Sequence, residues 1–260
     1  MNRPIILTIT LALVAALVLP GQTANPKQPQ PKSQKELEAI QAIFSAQDFE
    51  SRIAAANNLI SKFADTEFKA TAYYVAADSA MNKGDIDQAI VYAEKCIEAD
   101  PQFYGAMLLI SRALAQRTRE FDLDREEKLG RSEKLAKQVI EILKTAPKPR
   151  PDVTDEQWEG FKKEFAGQAY EAIAMGAMVR KNYQAAADNF KLAADSSPQP
   201  DPATLVRLGN AYRMLKKFDE ALVVLDKALA DPNAVAAVKQ AATQEKNSVN
   251  QAKAAATKQP

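Results

Sequence analysis

A chain of 260 residues, 47% hydrophobic and 26% charged, is long enough to bury a sizeable core and too polar for a multi-span membrane protein. Its 34 Lys and Arg against 33 Asp and Glu leave a net charge of +1, so nothing in the balance points to nucleic acid or an acidic membrane surface as partner. With no histidine, the commonest general base, the Ser-His and Cys-His nucleophile pairs and most zinc and haem ligation are excluded, and one cysteine makes no internal disulfide.

The opening segment, MNRPIILTITLALVAALVLPGQTAN, places Arg3 before an apolar run of 15 residues (5–19) and then Pro20, Gly21 and small side chains. That is the pattern of a secretory signal, and the run is shorter than the roughly 20 residues a spanning helix needs. Residues 1–24 are therefore expected to be removed, giving a periplasmic or secreted protein with no membrane span. An uncleaved segment would instead tether it to the inner membrane. Residues 25–34 form a Pro/Gln-rich linker, and SQKE from Ser33 is a capping box opening a helical domain over 35–256. Its first unit, 35–66, is a poorly matching helical pair.

Three later segments share one order of residue types: KGDIDQAIVYAEKCIEADP (83–101), KNYQAAADNFKLAADSSP (181–198) and KKFDEALVVLDKALADP (216–232). Aligned, Ala89, Ala186 and Ala221 coincide, followed seven residues on by Cys96, Ala193 and Ala228. Small residues two turns apart on one face let another helix approach closely. Cys96 thus fills an alanine slot and reads as packing rather than as a nucleophile. Ile86, Tyr183 and Phe218 lie three before the first small residue, and Ala93, Phe190 and Leu225 four after it, completing an amphipathic stripe. Each segment follows another helix with its own matched set: Ala76, Ala77 and Ala80; Ile173, Ala174 and Ala177; Leu208, Gly209 and Tyr212.

Helix, short turn, helix, Pro: the unit resembles the tetratricopeptide repeat, a helical hairpin of about 34 residues. Leu205, Leu208, Gly209, Tyr212, Ala221 and Ala228 fall on its motif positions, and Asp201 with Pro202 supplies an N-cap and a proline at the first helical position. The resemblance implies an all-α, right-handed solenoid of about five stacked hairpins, a superhelix closed by a polar C-terminal capping helix at 233–256. From Ala186 to Ala221 is 35 residues, but from Ala89 to Ala186 is 97, which is 29 beyond two repeats of about 34. A degenerate unit (102–147) fills the interval, with YGAMLLISRALAQ and SEKLAKQVIEILK as its helices. The excess divides between a loop at 117–130 and a Pro-rich connection ending at Thr154, whose capping box with Gln157 starts an elongated helix. The remaining units are 67–101, 154–198 and 201–232. The insertion also resembles exported bacterial repeat proteins.

No sequence pattern offers catalysis, a cofactor or a metal site, so the chain reads as a non-enzyme. Asp122, Asp124, Glu126 and Glu133 approach calcium-loop spacing, yet Glu127 stands where the turn needs glycine, and the run reads as a solvated charged linker. Trp158 covers the insertion or projects toward a partner; an isolated aromatic favours the cover. In the repeat family, partner contacts come from the leading helix of each hairpin. Carried onto this chain they are Tyr74, Asp78, Arg112, Gln116, Glu171, Met175, Met178, Arg207, Asn210 and Arg213. The three arginines suggest an acidic or C-terminal carboxylate ligand on a protein or peptide. Val206 and Glu171 replace the lysine of the carboxylate-clamp subgroup, so chaperone tails are not the expected ligand. These readings describe an exported scaffold that binds a protein or peptide in envelope assembly or secretion. The alternative is an accessory subunit of an envelope or glycan-processing enzyme acting through residues 117–160.

Overall fold

The structure is a computed structural model describing residues 29–149 and 152–257. The expected signal segment (1–24) and residues 25–28 of the linker lie outside the described residues. Eleven helices and no strand are present among the described residues. They group into two compact units, Met1–Leu109 and Ile110–Pro260.

In the first unit, α1 (Gln34–Ser45), α2 (Phe49–Lys62), α3 (Lys69–Lys83) and α4 (Ile86–Ala99) each pack on the next. The Ser33 hydroxyl caps α1 by accepting from Glu36 N at 3.1 Å, as expected. The reciprocal bond is displaced by one residue, because buried Glu36 reaches Lys32 N at 2.6 Å rather than Ser33 N. Ile40, Ile43, Ile53 and Leu59, with Phe68, Val75 and Tyr92 further along, are large members of this core. Around α3 and α4 the interior is mostly small, with Ala72, Ala76, Ala77, Ala80, Ala89, Ala93 and Cys96 beside Val75 and Tyr92. Such small side chains bring helix axes close, and their packing replaces the bulk of large residues.

The boundary between units falls within α5 (Tyr104–Arg117). Beyond it come α6 (Arg125–Thr145), α7 (Asp155–Val179), α8 (Tyr183–Asp195), α9 (Pro202–Met214), α10 (Phe218–Ala230) and α11 (Ala236–Thr257). From α6 onward each helix packs on its successor, and α11 also covers α9. Ala186, Ala221 and Ala228 are fully buried, as their spacing predicts. Ala193 is the exception: it is half-buried and Ala194 takes the interior place. A Cβ on Gly167 would lie 2.0 Å from Ser196 Oγ and 3.4 Å from the Ala193 carbonyl, so α7 passes here close against the C-terminal end of α8. Gly209 permits a similar approach, since a Cβ there would lie 2.7 Å from Leu225 Cγ.

Three interhelical turns are geometrically equivalent. Gly84, Lys181 and Lys216 have φ of 92°, 60° and 60°, and occupy the same place in their repeats. In each, the next residue donates five positions back: Asp85 to Ala80 O, Asn182 to Ala177 O, Lys217 to Tyr212 O, all at 2.9 Å. This left-handed C-terminal motif satisfies carbonyls the helix would otherwise leave open. Asp85 and Asn182 then cap the second helix by accepting from Gln88 N and Ala185 N.

The insertion differs from expectation. Only residues 118–124 separate α5 from α6, because α6 starts at Arg125 and not after Gly130. Glu126 and Glu127 in its first turn favour the helix dipole, and Leu129 is buried, so the charged run is half helix and not a solvated linker. Ser111 and Ser132, both buried, exchange hydroxyl-to-carbonyl bonds of 2.8 and 2.7 Å between α5 and α6. At the other connection Thr154 and Gln157 form the expected capping box, and Trp158 is buried with its Nε1–H donating to Ala146 O at 3.1 Å. The indole covers the end of α6.

Candidate functional site

A groove of about 570 Å³ opens on the second unit. Met175, Met178 and Val179 of α7, Phe190 of α8 and Val206 of α9 give it an apolar surface. Gln116 at the end of α5, Thr118 and Arg119 of the following loop, and Arg207 and Asn210 of α9 supply polar edges. Ala241, Gln244, Glu245 and Ser248 of α11 complete the lining. Apolar side chains set among polar ones in a concave surface suit a segment of another polypeptide.

Five of the ten residues inferred from the sequence meet here: Gln116, Met175, Met178, Arg207 and Asn210. Glu171 is turned inward, accepting from Thr204 Oγ1 at 3.0 Å and from Arg207 Nη1 at 2.5 Å. Arg213 is held by Glu245 at 2.5 Å, and Arg112 donates to Gln168 Oε1 at 2.8 Å. All three arginines expected to grip a carboxylate are thus already engaged within the chain, because each faces a neighbouring helix that carries an acceptor. Tyr74 and Asp78 belong to the first unit and do not line the groove. Tyr74 stacks on Phe103 with centroids 4.9 Å apart, and burial pushes the Asp78 carboxyl above its ordinary range.

Sequence reasoning missed Phe190, Val206 and the whole contribution of α11. Phe190 belongs to the core stripe, where its ring indeed sits, with one edge reaching the groove. The signal for α11 was its Ala-rich composition, which lets a capping helix lie close enough to form a wall. Around the insertion, Arg180 bridges Glu126 and Glu133 at 2.9 and 3.0 Å. The Arg180 guanidinium, with Arg125, holds Glu126 below the usual carboxylate range, and Lys137 with Arg180 does the same for Glu133. No group of three or more potential metal ligands exists among the described residues. Cys96 is fully buried, and that burial raises its thiol far above the range where thiolate forms, in keeping with a packing role.

The helical pairs, their small-residue crossings and the repeated left-handed turn define a helical-hairpin repeat protein. Residues 70–103, covering nearly all of α3 and α4, match the tetratricopeptide repeat family model. The fold is similar to a thermophilic TPR protein of Thermus thermophilus, at TM-score 0.52 and 15% identity, over 82% of this chain and 97% of that one. MamA protein aligns at TM-score 0.46 and 18% identity over 71% of this chain and 86% of its own. The assembly chaperone of RpL4 aligns at 0.45 and 14%, over 86% and 98%. None of the curated proteins matches in sequence. Residues 70–103 are thus a tetratricopeptide repeat, and the chain shares the all-α fold of successive helical hairpins seen in tetratricopeptide-repeat proteins.

Proposed function

We propose that this protein is an exported, non-catalytic scaffold that holds a protein or peptide segment in the groove of its second unit. The groove itself carries this reading: methionines and a phenylalanine edge form an adaptable apolar surface, while the arginines around it are fixed by internal partners. That arrangement favours an apolar side chain of the partner as the main anchor, with polar recognition at Gln116, Asn210 and Arg119. An acidic group on the partner is a secondary element, met by the exposed part of Arg207, whose side chain remains 40% exposed beside Glu171. Export rests on the signal-like residues 1–24 and puts the partner in the periplasm or outside the cell, in envelope assembly or secretion. No helix among the described residues is long and apolar enough to cross a membrane.

The accessory-enzyme alternative finds less support, since Trp158, Glu126 and Glu133 in the insertion are engaged in packing and ion pairs. Asn210→Trp tests the groove by filling it from a half-buried position whose side chain anchors no other helix. Partner capture from native envelope extract is expected to fall at least about tenfold with an unchanged melting temperature. Unchanged capture would overturn the reading.

A further inference from the structure

Helix α11 walls one side of the groove with Ala241, Gln244, Glu245 and Ser248, yet it has the fewest buried residues of the described helices. Of its 22 residues Ala242 and Val249 alone are buried, whereas α10 buries Ala221, Leu225 and Ala228 in 13. The inner stripe of α11 runs Val238, Ala242, Glu245, Val249 and Ala252 at alternating spacings of four and three. Two of these positions are alanine and the central one is a carboxylate, so the stripe contributes little apolar area. Glu245 is held there by Arg213 of α9 at 2.5 Å, with the carboxylate side chain 14% exposed.

Beside the stripe, two ion pairs fix the register on α10. Asp219 and Asp226, seven apart, meet Lys253 and Lys246, also seven apart, each pair at 2.5 Å. Their four side chains are 36 to 80% exposed, so each pair contributes little and is screened by salt. Beneath α11, Leu205, Ala221, Leu225 and Ala228 form one buried cluster with Ala242 and Val249, and Phe218 and Leu222 pack against it. The hairpin of α9 and α10 thus has an interior of its own, while α11 adds two side chains to it. An element fastened in that way opens at a lower free energy than the hairpins it covers.

We propose that α11 is a salt-sensitive lid on the groove: it lifts from α9 and α10 while those helices stay folded, admits the partner segment, and closes on it. The inference rests on the groove being a docking surface, as the proposed function holds. Closure returns Ala241, Gln244, Glu245 and Ser248 to the lining, so an occupied groove holds the lid down.

The test is thiol labelling of the purified full chain with a water-soluble maleimide, followed by mass. Ala242→Cys puts a thiol under the lid, and the native Cys96, buried in the first unit, is the internal control. The thiol at position 242 is expected to react at least about tenfold faster than Cys96, and faster at high than at low salt. Lys246→Gln with Lys253→Gln should accelerate labelling about fivefold at low salt and remove most of the salt response. Ala252→Leu, which adds apolar area to a half-buried position of the stripe, should slow it severalfold. Amide hydrogen exchange over residues 236–257 of the otherwise unaltered chain should follow the same order, which separates lid opening from any packing defect at position 242. Bound partner from native envelope extract should slow the labelling. A thiol at 242 no more reactive than Cys96, a rate indifferent to salt and to the lysine double variant, or labelling unchanged by bound partner would overturn the proposal. Failure of the groove reading is seen separately, as unchanged capture by Asn210→Trp, and leaves the salt dependence of labelling as it was.

Discussion

At the residue scale, the interhelical turns carry the clearest energetic asymmetry. Gly84, Lys181 and Lys216 share a left-handed conformation that costs a residue with a Cβ about 1 kcal/mol or more and costs glycine nothing. Gly84→Ala is therefore expected to destabilise the protein by about 1 kcal/mol, although no atom lies within 4 Å of the new methyl. Lys216→Gly should stabilise by about 0.5 kcal/mol, the strain relief being partly offset by glycine's greater freedom in the unfolded chain. Urea titration of both variants checks the opposite signs. Asp78 adds a pH dependence. Burial raises its folded pKa above the unfolded value, so the folded state holds the proton more tightly and this group's contribution to stability falls as pH rises through that window. Asp78→Asn should remove the loss, giving a variant whose melting temperature exceeds wild type at neutral pH and converges with it in acid.

Helices and their crossings were largely legible from spacing. Small residues seven apart announced the buried faces of α4, α8 and α10, and the capping sequences at Thr154 and Asp201 gave the starts of α7 and α9, because both signals are local and hold wherever the hairpin stands. The start of α6 was not legible. Its charged run looks like linker until Glu126 and Glu133 meet Arg180, the cap at the end of α7, a contact 54 and 47 residues distant in the chain. Ala193 and Ala194 exchanged places for a related reason: the crossing is set by Gly167 on the partner helix, which no single-helix stripe reveals. Gly209→Ala addresses the crossings directly, since its methyl would sit 2.7 Å from Leu225 Cγ in a fully packed core. A loss of about 1–3 kcal/mol is expected, measurable by urea titration. The combined Gly209→Ala, Leu225→Ala variant should show the two changes to be non-additive, because the smaller residue makes room for the methyl.

For the molecule as a whole, the sequence placed partner contacts on the leading helices of the hairpins, and half of the named residues do line one groove. The rest could not be sorted from the chain alone. Whether an arginine on a leading helix faces solvent or a neighbour depends on an acceptor such as Glu171 or Glu245 arriving from another helix, and repeat spacing carries no information on that choice. The consequence is a groove in which the apolar surface leads recognition, with Arg119 and the exposed part of Arg207 as its secondary cations. A photo-crosslinking residue at Met178, compared with one at exposed Val223 on α10, tests this central claim most directly in cells that express the protein. The account predicts an adduct from position 178 containing a polypeptide other than this chain, and little from position 223. Equal labelling from both positions, or a partner captured from 223 alone, would contradict it.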